Sequence, residues 1–289
     1  VDGAGNLIAW DAARAGADIS PDTFRGLLPA LYPWMGDGFV EGVANLSARY
    51  FETFATDEAS TEGLFEDYDH PNTRVTHMTV DHELPMTFWR SVGHSYTAFA
   101  KESMIDELAQ AAGMDEVAFR LQNTQNTPRL NNVIRVAGER MASMNPPSGH
   151  HLGFAAHHSF HTDVAEIAEV SVENGKIRVH KVTCVLDCGQ AVNPDIVRSQ
   201  MEGAVIYGLT AALYGGLNLE DGAIKESNFH DYPMLRMSES PEIEVIIIDS
   251  GTEPTGVGEP GLPPIAPAVA NAVYKATGQR LRSLPLQLA

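Results

Sequence analysis

Two runs rich in β-branched residues, Val164 to Val172 and Ile177 to Leu186, are separated by Asn174-Gly175. That dipeptide is favoured in a two-residue type I′ turn, whose twist matches a pair of right-twisted strands, so a long antiparallel hairpin is expected. Downstream, Asn193-Pro194-Asp195 supplies an N-cap, a first-turn proline and an acid, and predicts a helix over residues 194–214. Glu242 to Ile248 reads as a strand, and a helix is expected after Pro264, stopping at Gly278. Upstream, Thr73 to Val80 alternates as a strand, Pro85 breaks it, and Phe88 to Ser95 forms a loop. Phe99, Met104, Ile105, Leu108 and Ala112 then mark one side of a helix capped at Gly113, and Asp115 starts a short helix to Leu121.

Strands and helices without regular βαβ alternation place the chain in the α+β class. Pro21 to Phe65 shows no clean period and is expected to be irregular surface with short helical turns. Asn123 to Gly149, polar and punctuated by proline, is expected to link two α+β lobes, residues 1–148 and 149–289. Gly3 to Asn6 reads as the turn of a hairpin cut through its middle, an expectation that polypeptide precedes it.

Composition removes several functions. With 38 acidic against 19 basic residues, the excess of 19 negative charges repels nucleic acid and anionic lipid. No run of about 18 apolar residues marks a membrane span. Cys184 and Cys188 are the only thiols, too few for an iron–sulfur cluster, which takes about four. Four residues apart on one strand face, they read as buried free thiols rather than a redox pair. His150, His151, His157, His158 and His161 crowd one segment, read as a solvated loop in preference to a metal site. No G-x-G-x-x-G follows a strand and there is no P-loop, so nicotinamide and ATP chemistry have no support.

The stretch Gly256-Val257-Gly258-Glu259-Pro260-Gly261-Leu262-Pro263-Pro264 carries the clearest chemical signal. Its glycines let backbone approach a ligand, and its prolines stiffen the turn that follows. Glu259 on such a loop can act as a general base; the bland alternative is that it caps the helix beyond Pro264.

Several motifs together resemble one family. They are Trp89-Arg90-Ser91-Val92-Gly93-His94-Ser95, Val185-Leu186-Asp187-Cys188-Gly189, Val192-Asn193-Pro194-Asp195-Ile196-Val197-Arg198, Gln200-Met201-Glu202-Gly203, Ser227 to Pro233 and the GVGEPG stretch. In order and spacing, from about Thr73 to Leu286, they are similar to the molybdenum-binding large (beta) subunits of isoquinoline 1-oxidoreductase and bacterial aldehyde dehydrogenases, in the xanthine oxidase family. The resemblance implies a molybdopterin-dependent oxidoreductase that hydroxylates an aldehyde or an N-heterocycle with oxygen from water. Glu259 would be the base. Phe88, Trp89, Arg90, Gln200, Val257 and Gly258 would bind the cofactor, molybdenum on molybdopterin cytosine dinucleotide, and no side chain would ligate the metal directly. Trp89 and Val92 would line the substrate pocket; an aliphatic Val92, where xanthine-oxidising relatives have phenylalanine, argues against xanthine.

The family's GGxFG-like and EMGQG-like cofactor segments do not occur here. The chain therefore resembles the C-terminal part of a longer subunit, and the upstream half, on the same or a separate chain, is an expected partner. A small subunit with [2Fe-2S] clusters and a cytochrome c as acceptor are the other implied partners. The implied compartment is bacterial, the periplasm ahead of the cytoplasm. A noncatalytic module that completes another subunit's fold is the competing reading.

Overall fold

In the computed structural model, which describes residues 1–80 and 84–288, the first strand does not fold back on itself. The Asp2 carboxylate closes the N-terminal turn by accepting the amides of Ala4 and Asn6 at 2.9 and 2.8 Å. Strand β1 (Trp10–Gly16) leaves this turn and pairs in parallel with β2 (Thr73–Thr79), Trp10 opposite Thr73. The turn expected at Gly3 to Asn6 is present, closed also by the Asp2 amide donating to the Asn6 carbonyl at 3.0 Å. Parallel strands need a crossover, and three helices supply it: α1 (Ser20–Leu31), α2 (Asp37–Thr53) and the single turn α3 (Glu58–Thr61). The segment expected to be irregular surface is therefore largely helical. Its period is masked by Gly26, Pro29, Gly38 and Gly42, and α1 and α2 together bury only Pro21, Thr23, Val40 and Ala44.

Beyond Gly93 come α4 (His94–Ala111) and α5 (Glu116–Gln122), the latter capped by Asp115, whose carboxylate accepts the amides of Val117 and Ala118. Met104 faces solvent, although its spacing matches the apolar side of α4. Glu102 of α4 is fully buried, and accepts from the Tyr68 hydroxyl at 2.6 Å, Arg120 Nε at 2.9 Å and the Ala156 amide at 2.9 Å. A buried charge is tolerated only when compensated in this way.

In place of the expected linker lies α6 (Pro128–Ala142). Pro128 opens the helix and Pro146-Pro147 follow it, so the prolines bracket an element rather than mark open chain. Its buried residues Leu130, Val133, Ile134 and Ala137 recur at helical steps and pack against Phe154, Ala156, Ala165, Ile167 and Val185 of the main sheet. That sheet has the order β3 (His150–Ser159), β4 (Thr162–Glu173), β5 (Lys176–Asp187) and β8 (Glu242–Ile248). The first two pairings are antiparallel and the last is parallel. Asn174 and Gly175 take φ of 51° and 74°, as the type I′ turn requires.

The histidine-rich segment is strand β3, and its centre, Gly153 to His157, is buried; it is not a solvated loop. Phe154 and Ala156 face α6, while Ala155 joins the opposite core with α7 (Pro194–Tyr214) and α8 (Ile265–Thr277). The Asn193 side chain caps α7 by accepting the amides of Asp195 and Ile196, and Gly278 ends α8 at φ 74°. A minor hairpin, β6 (Leu219–Glu220) with β7 (Ala223–Ile224), lies between α7 and β8. Helices thus cover both faces of a largely antiparallel sheet, an α+β architecture. Cys184 and Cys188 are buried free thiols. Among the described residues, no helix is long and apolar enough to cross a membrane, and no three or more His, Cys, Asp or Glu side chains are grouped to hold a metal ion.

Candidate functional site

Three segments far apart in sequence meet at the N-terminal end of α4. The first is the turn 88–93. Ser91 and Val92 adopt φ of 71° and 46° there, a left-handed backbone that is costly for any residue but glycine and especially for β-branched valine. Such strain persists only where surrounding contacts impose it. The second segment is the GVGEP loop: the Ser91 amide donates to Glu259 Oε1 at 3.0 Å, and the Ser91 hydroxyl donates to the Glu259 carbonyl at 2.8 Å. Arg90 reaches the same loop, its Nε donating to the Gly258 carbonyl at 2.8 Å and its Nη2 to that oxygen as well.

The third is α7. Arg90 Nη2 lies 3.3 Å from Gln200 Oε1 and 3.4 Å from the Gln200 carbonyl. Two turns further along, the Tyr207 ring stacks on Trp89 with centroids 4.9 Å apart, and the Arg90 guanidinium lies 5.9 Å from the Tyr207 centroid. Burial lowers the Arg90 pKa, opposed by the nearby Glu259 and Tyr207. Glu259 does not cap α8, which has Pro264 at its N-cap position and no side-chain cap. Half-buried, the carboxylate has one oxygen fixed by Ser91, and among the described residues the other accepts no hydrogen bond.

Arg90, Gln200, Gly258 and Glu259 are therefore in one contact network, with Trp89 joined to it through Tyr207. Val257 is half-buried against the Val197 and Met201 cluster, and it borders a cleft of about 210 Å³ lined by Val192, Asn193 and Ile196 at the first turn of α7. Phe88 is exposed and Val92 half-buried on the same turn. Sequence reasoning missed Ser91 and Tyr207. Tyr207 carries a usable signal, lying seven residues after Gln200 and so on the same side of α7. Also missed was Glu62, which accepts the Gly93 amide at 3.0 Å. Its pKa is pushed up to about 7 by burial, with Glu66, Glu259 and Asp57 adding to the rise.

At Gly258 an added Cβ would meet nothing within 4 Å, so the backbone between Arg90 and Glu259 faces open space. The Arg90 guanidinium stands at the edge of this open backbone, a planar cation of the kind that pairs with anionic groups.

A family model described as a molybdopterin cofactor-binding domain matches residues 87–241, and a second of the same description matches residues 40–124. The beta subunit of isoquinoline 1-oxidoreductase from Brevundimonas diminuta is 36% identical over 254 residues, covering 86% of this chain and 32% of that protein. A subunit of nicotinate dehydrogenase from Pseudomonas putida is 33% identical over 241 residues, 76% of this chain and 20% of that one. The chain thus spans a third or less of the length of these two relatives. Among solved structures, quinoline 2-oxidoreductase from Pseudomonas putida 86 superimposes with a TM-score of 0.71 at 11% identity, over 96% of this chain and 58% of that chain.

Proposed function

Because this chain belongs to the molybdopterin cofactor-binding domain family, we propose that it forms the catalytic side of a molybdenum hydroxylase acting on an aldehyde or an N-heterocycle, with Glu259 as the base. The observation that carries this reading is the Glu259 carboxylate itself. One oxygen is anchored by an amide on a strained turn, and the other is unengaged beside the open Gly258 backbone. A group built to cap a helix has no need of that arrangement.

The bound cofactor, in this reading molybdenum on molybdopterin cytosine dinucleotide, would supply the two-electron oxidation, and water the oxygen. The chain's own residues do the rest. Arg90 and Gln200, with the backbone of Val257 and Gly258 and the rings of Phe88 and Trp89, would hold the cofactor by charge-assisted hydrogen bonds and stacking. Trp89 and Val92 would position the substrate carbon. Glu259 Oε2 would accept the proton that the attacking water must lose. The turn 88–93 belongs to the lobe of residues 1–148 and the GVGEP loop to that of residues 149–289, so the site would lie where they join. An upstream half of the subunit, a partner with [2Fe-2S] clusters and a cytochrome c acceptor complete the proposed assembly, in the bacterial periplasm ahead of the cytoplasm.

Glu259→Gln tests the assignment, because it keeps shape while removing proton acceptance. In the assembled complex, turnover of a reactive aldehyde should fall at least about a hundredfold with molybdenum content and thermal stability nearly unchanged. Near-normal turnover in a fully loaded variant would remove Glu259 from the mechanism. It would leave the competing reading, a noncatalytic module completing another subunit.

A further inference from the structure

The main sheet has two hairpin turns of two residues each, and they are built from contrasting residues. In the β4–β5 turn the left-handed positions go to Asn174 and Gly175, which adopt them readily. In the β3–β4 turn Ser159 pairs with Thr162, so the two intervening residues are Phe160 and His161, held at φ of 52° and 62°. Bulky side chains are unfavourable there, and such backbone persists only where its surroundings impose it. The steps above make no use of this turn.

Both walls of the Glu259 site rest on it. On one side, the Phe160 ring centroid lies 5.5 Å from that of His94, the first residue of α4, which follows directly on the strained turn 88–93. On the other, Phe160 packs against the start of the GVGEP loop: a Cβ added at Gly256 would fall 3.3 Å from Phe160 Cβ and 3.4 Å from its carbonyl oxygen. Thr162, fully buried, holds the same place. Its hydroxyl donates to the Gly256 carbonyl at 2.7 Å and lies 2.6 Å from Thr255 Oγ1. A carbonyl can only accept, so the single Thr162 proton is committed to Gly256 and the Thr255 hydroxyl is the donor in the second bond. Thr255 is itself tied to the residue just past β5, its amide donating to the Cys188 carbonyl at 2.9 Å. From outside, Arg129 of α6 donates to the His161 carbonyl at 3.3 Å.

We propose that Thr162 and Phe160 are positioning residues for Glu259, holding the loop that carries it in register with the Ser91 turn. The proposal rests on the reading of Glu259 as the base. A loop with glycine at 256, 258 and 261 has backbone freedom that must be removed if its carboxylate is to meet a proton within about 2.6–3.2 Å. Three side chains from outside the loop remove it by taking its carbonyls: Thr162 takes that of Gly256, Arg90 that of Gly258 and Ser91 that of Glu259. Arg90 and Ser91 belong to the turn that Glu259 faces. Thr162 reaches the loop from the main sheet, and so ties it to a reference outside the site. Phe160, between His94 and Gly256, sets the spacing of the two walls. Each acts through the loop, and neither takes part in proton transfer.

The test uses the complete, cofactor-loaded enzyme. Thr162→Val keeps the β-branched shape and removes both hydroxyl bonds, and should lower kcat about tenfold with KM unchanged at full cofactor content. Thr162→Ser, which keeps the hydroxyl, should recover most of the loss. Independently of turnover, the Ser91 amide reports on the loop because it donates to Glu259 Oε1: its hydrogen exchange should quicken in Thr162→Val and not in Thr162→Ser. For the turn, His161→Gly relieves one strained position and should raise the denaturation midpoint with kcat kept. Adding Phe160→Asn to it gives the same dipeptide as the β4–β5 turn, which should leave the midpoint at or above that of the parent while kcat falls about tenfold. Parent kcat and parent Ser91 exchange in Thr162→Val, with Glu259→Gln inactive, overturn the role of Thr162 and leave the base assignment intact. Parent kcat in the double turn variant, or a midpoint that falls together with kcat, overturns the role of Phe160. Activity retained in Glu259→Gln overturns the reading beneath both.

Discussion

The guanidinium of Arg90 donates to the Gly258 carbonyl and to Gln200, so its charge is fixed at the junction of three segments instead of trailing into solvent. Arg90→Ala should therefore strip cofactor more than it harms the fold. Molybdenum analysis should show most of the metal lost, while the melting temperature moves by no more than about 2–4 °C, the shift expected for about 1 kcal/mol in a domain of this size. Arg90→Lys should rescue poorly, since an ammonium cannot reproduce the planar fork. Glu62 gives a prediction in pH. Its folded-state pKa of about 7 exceeds its ordinary 4.5, so the native state holds a proton that the unfolded chain releases between those values. Its contribution is fully present below about pH 4.5 and is lost as pH rises to about 7, so denaturant titrations of Glu62→Gln should show a shallower fall in stability across that window. Glu259 could be singled out before any coordinates from its glycine- and proline-rich loop, whereas Arg90, Gln200 and Gly258 were named only through the resemblance of their motifs to a family. Ser91 could not be assigned its role, nor Glu62 noticed, because their partners lie 168 and 31 residues away and no local period reports such a contact.

Elements with strong local signals were legible: the β4–β5 hairpin from its turn, and α7 from its cap. Two of the misread segments failed for a shared reason. Segments β3 and α6 look polar along the chain, yet β3 buries both faces and α6 presents a narrow stripe of four residues, so mean polarity hid a pattern that only packing reveals. Close packing at β3 yields a sharp prediction. A Cβ on Gly153 would lie 2.1 Å from the Ala268 carbonyl and 2.3 Å from the Ala272 amide nitrogen, both backbone atoms of α8 that cannot turn aside. Gly153→Ala should cost about 1–3 kcal/mol as overpacking, read from the chemical denaturation midpoint. By moving α8 it should also perturb the GVGEP loop that precedes it. Equal stability of variant and parent would mean that α8 can slide on the sheet.

At the scale of the whole molecule, the least explained surface is α1 and α2. Phe39, Leu46, Tyr50 and Phe54 fall on one side of α2 and are all more than half exposed, and Trp34 in the preceding turn is 79% exposed. A contiguous apolar surface of this kind drives association when left in water. The chain expressed without other polypeptides should self-associate in sedimentation velocity runs, and Trp34→Ser with Phe54→Ser should shift it toward monomer. A monodisperse parent chain would refute this. The meeting of residues 88–93, Gln200 and residues 256–259 has a further consequence, for the order of events in the cell. Arg90 waits 110 residues for its contact on α7, and the Glu259 loop follows even the last strand of the main sheet. A nascent chain still on the ribosome holds the first wall of the site long before the last one exists. If residues 256–259 wall the site as proposed, cofactor insertion would wait until they have emerged, and a chain that stalls just after β8 would lack both that wall and α8, which packs on one face of the sheet.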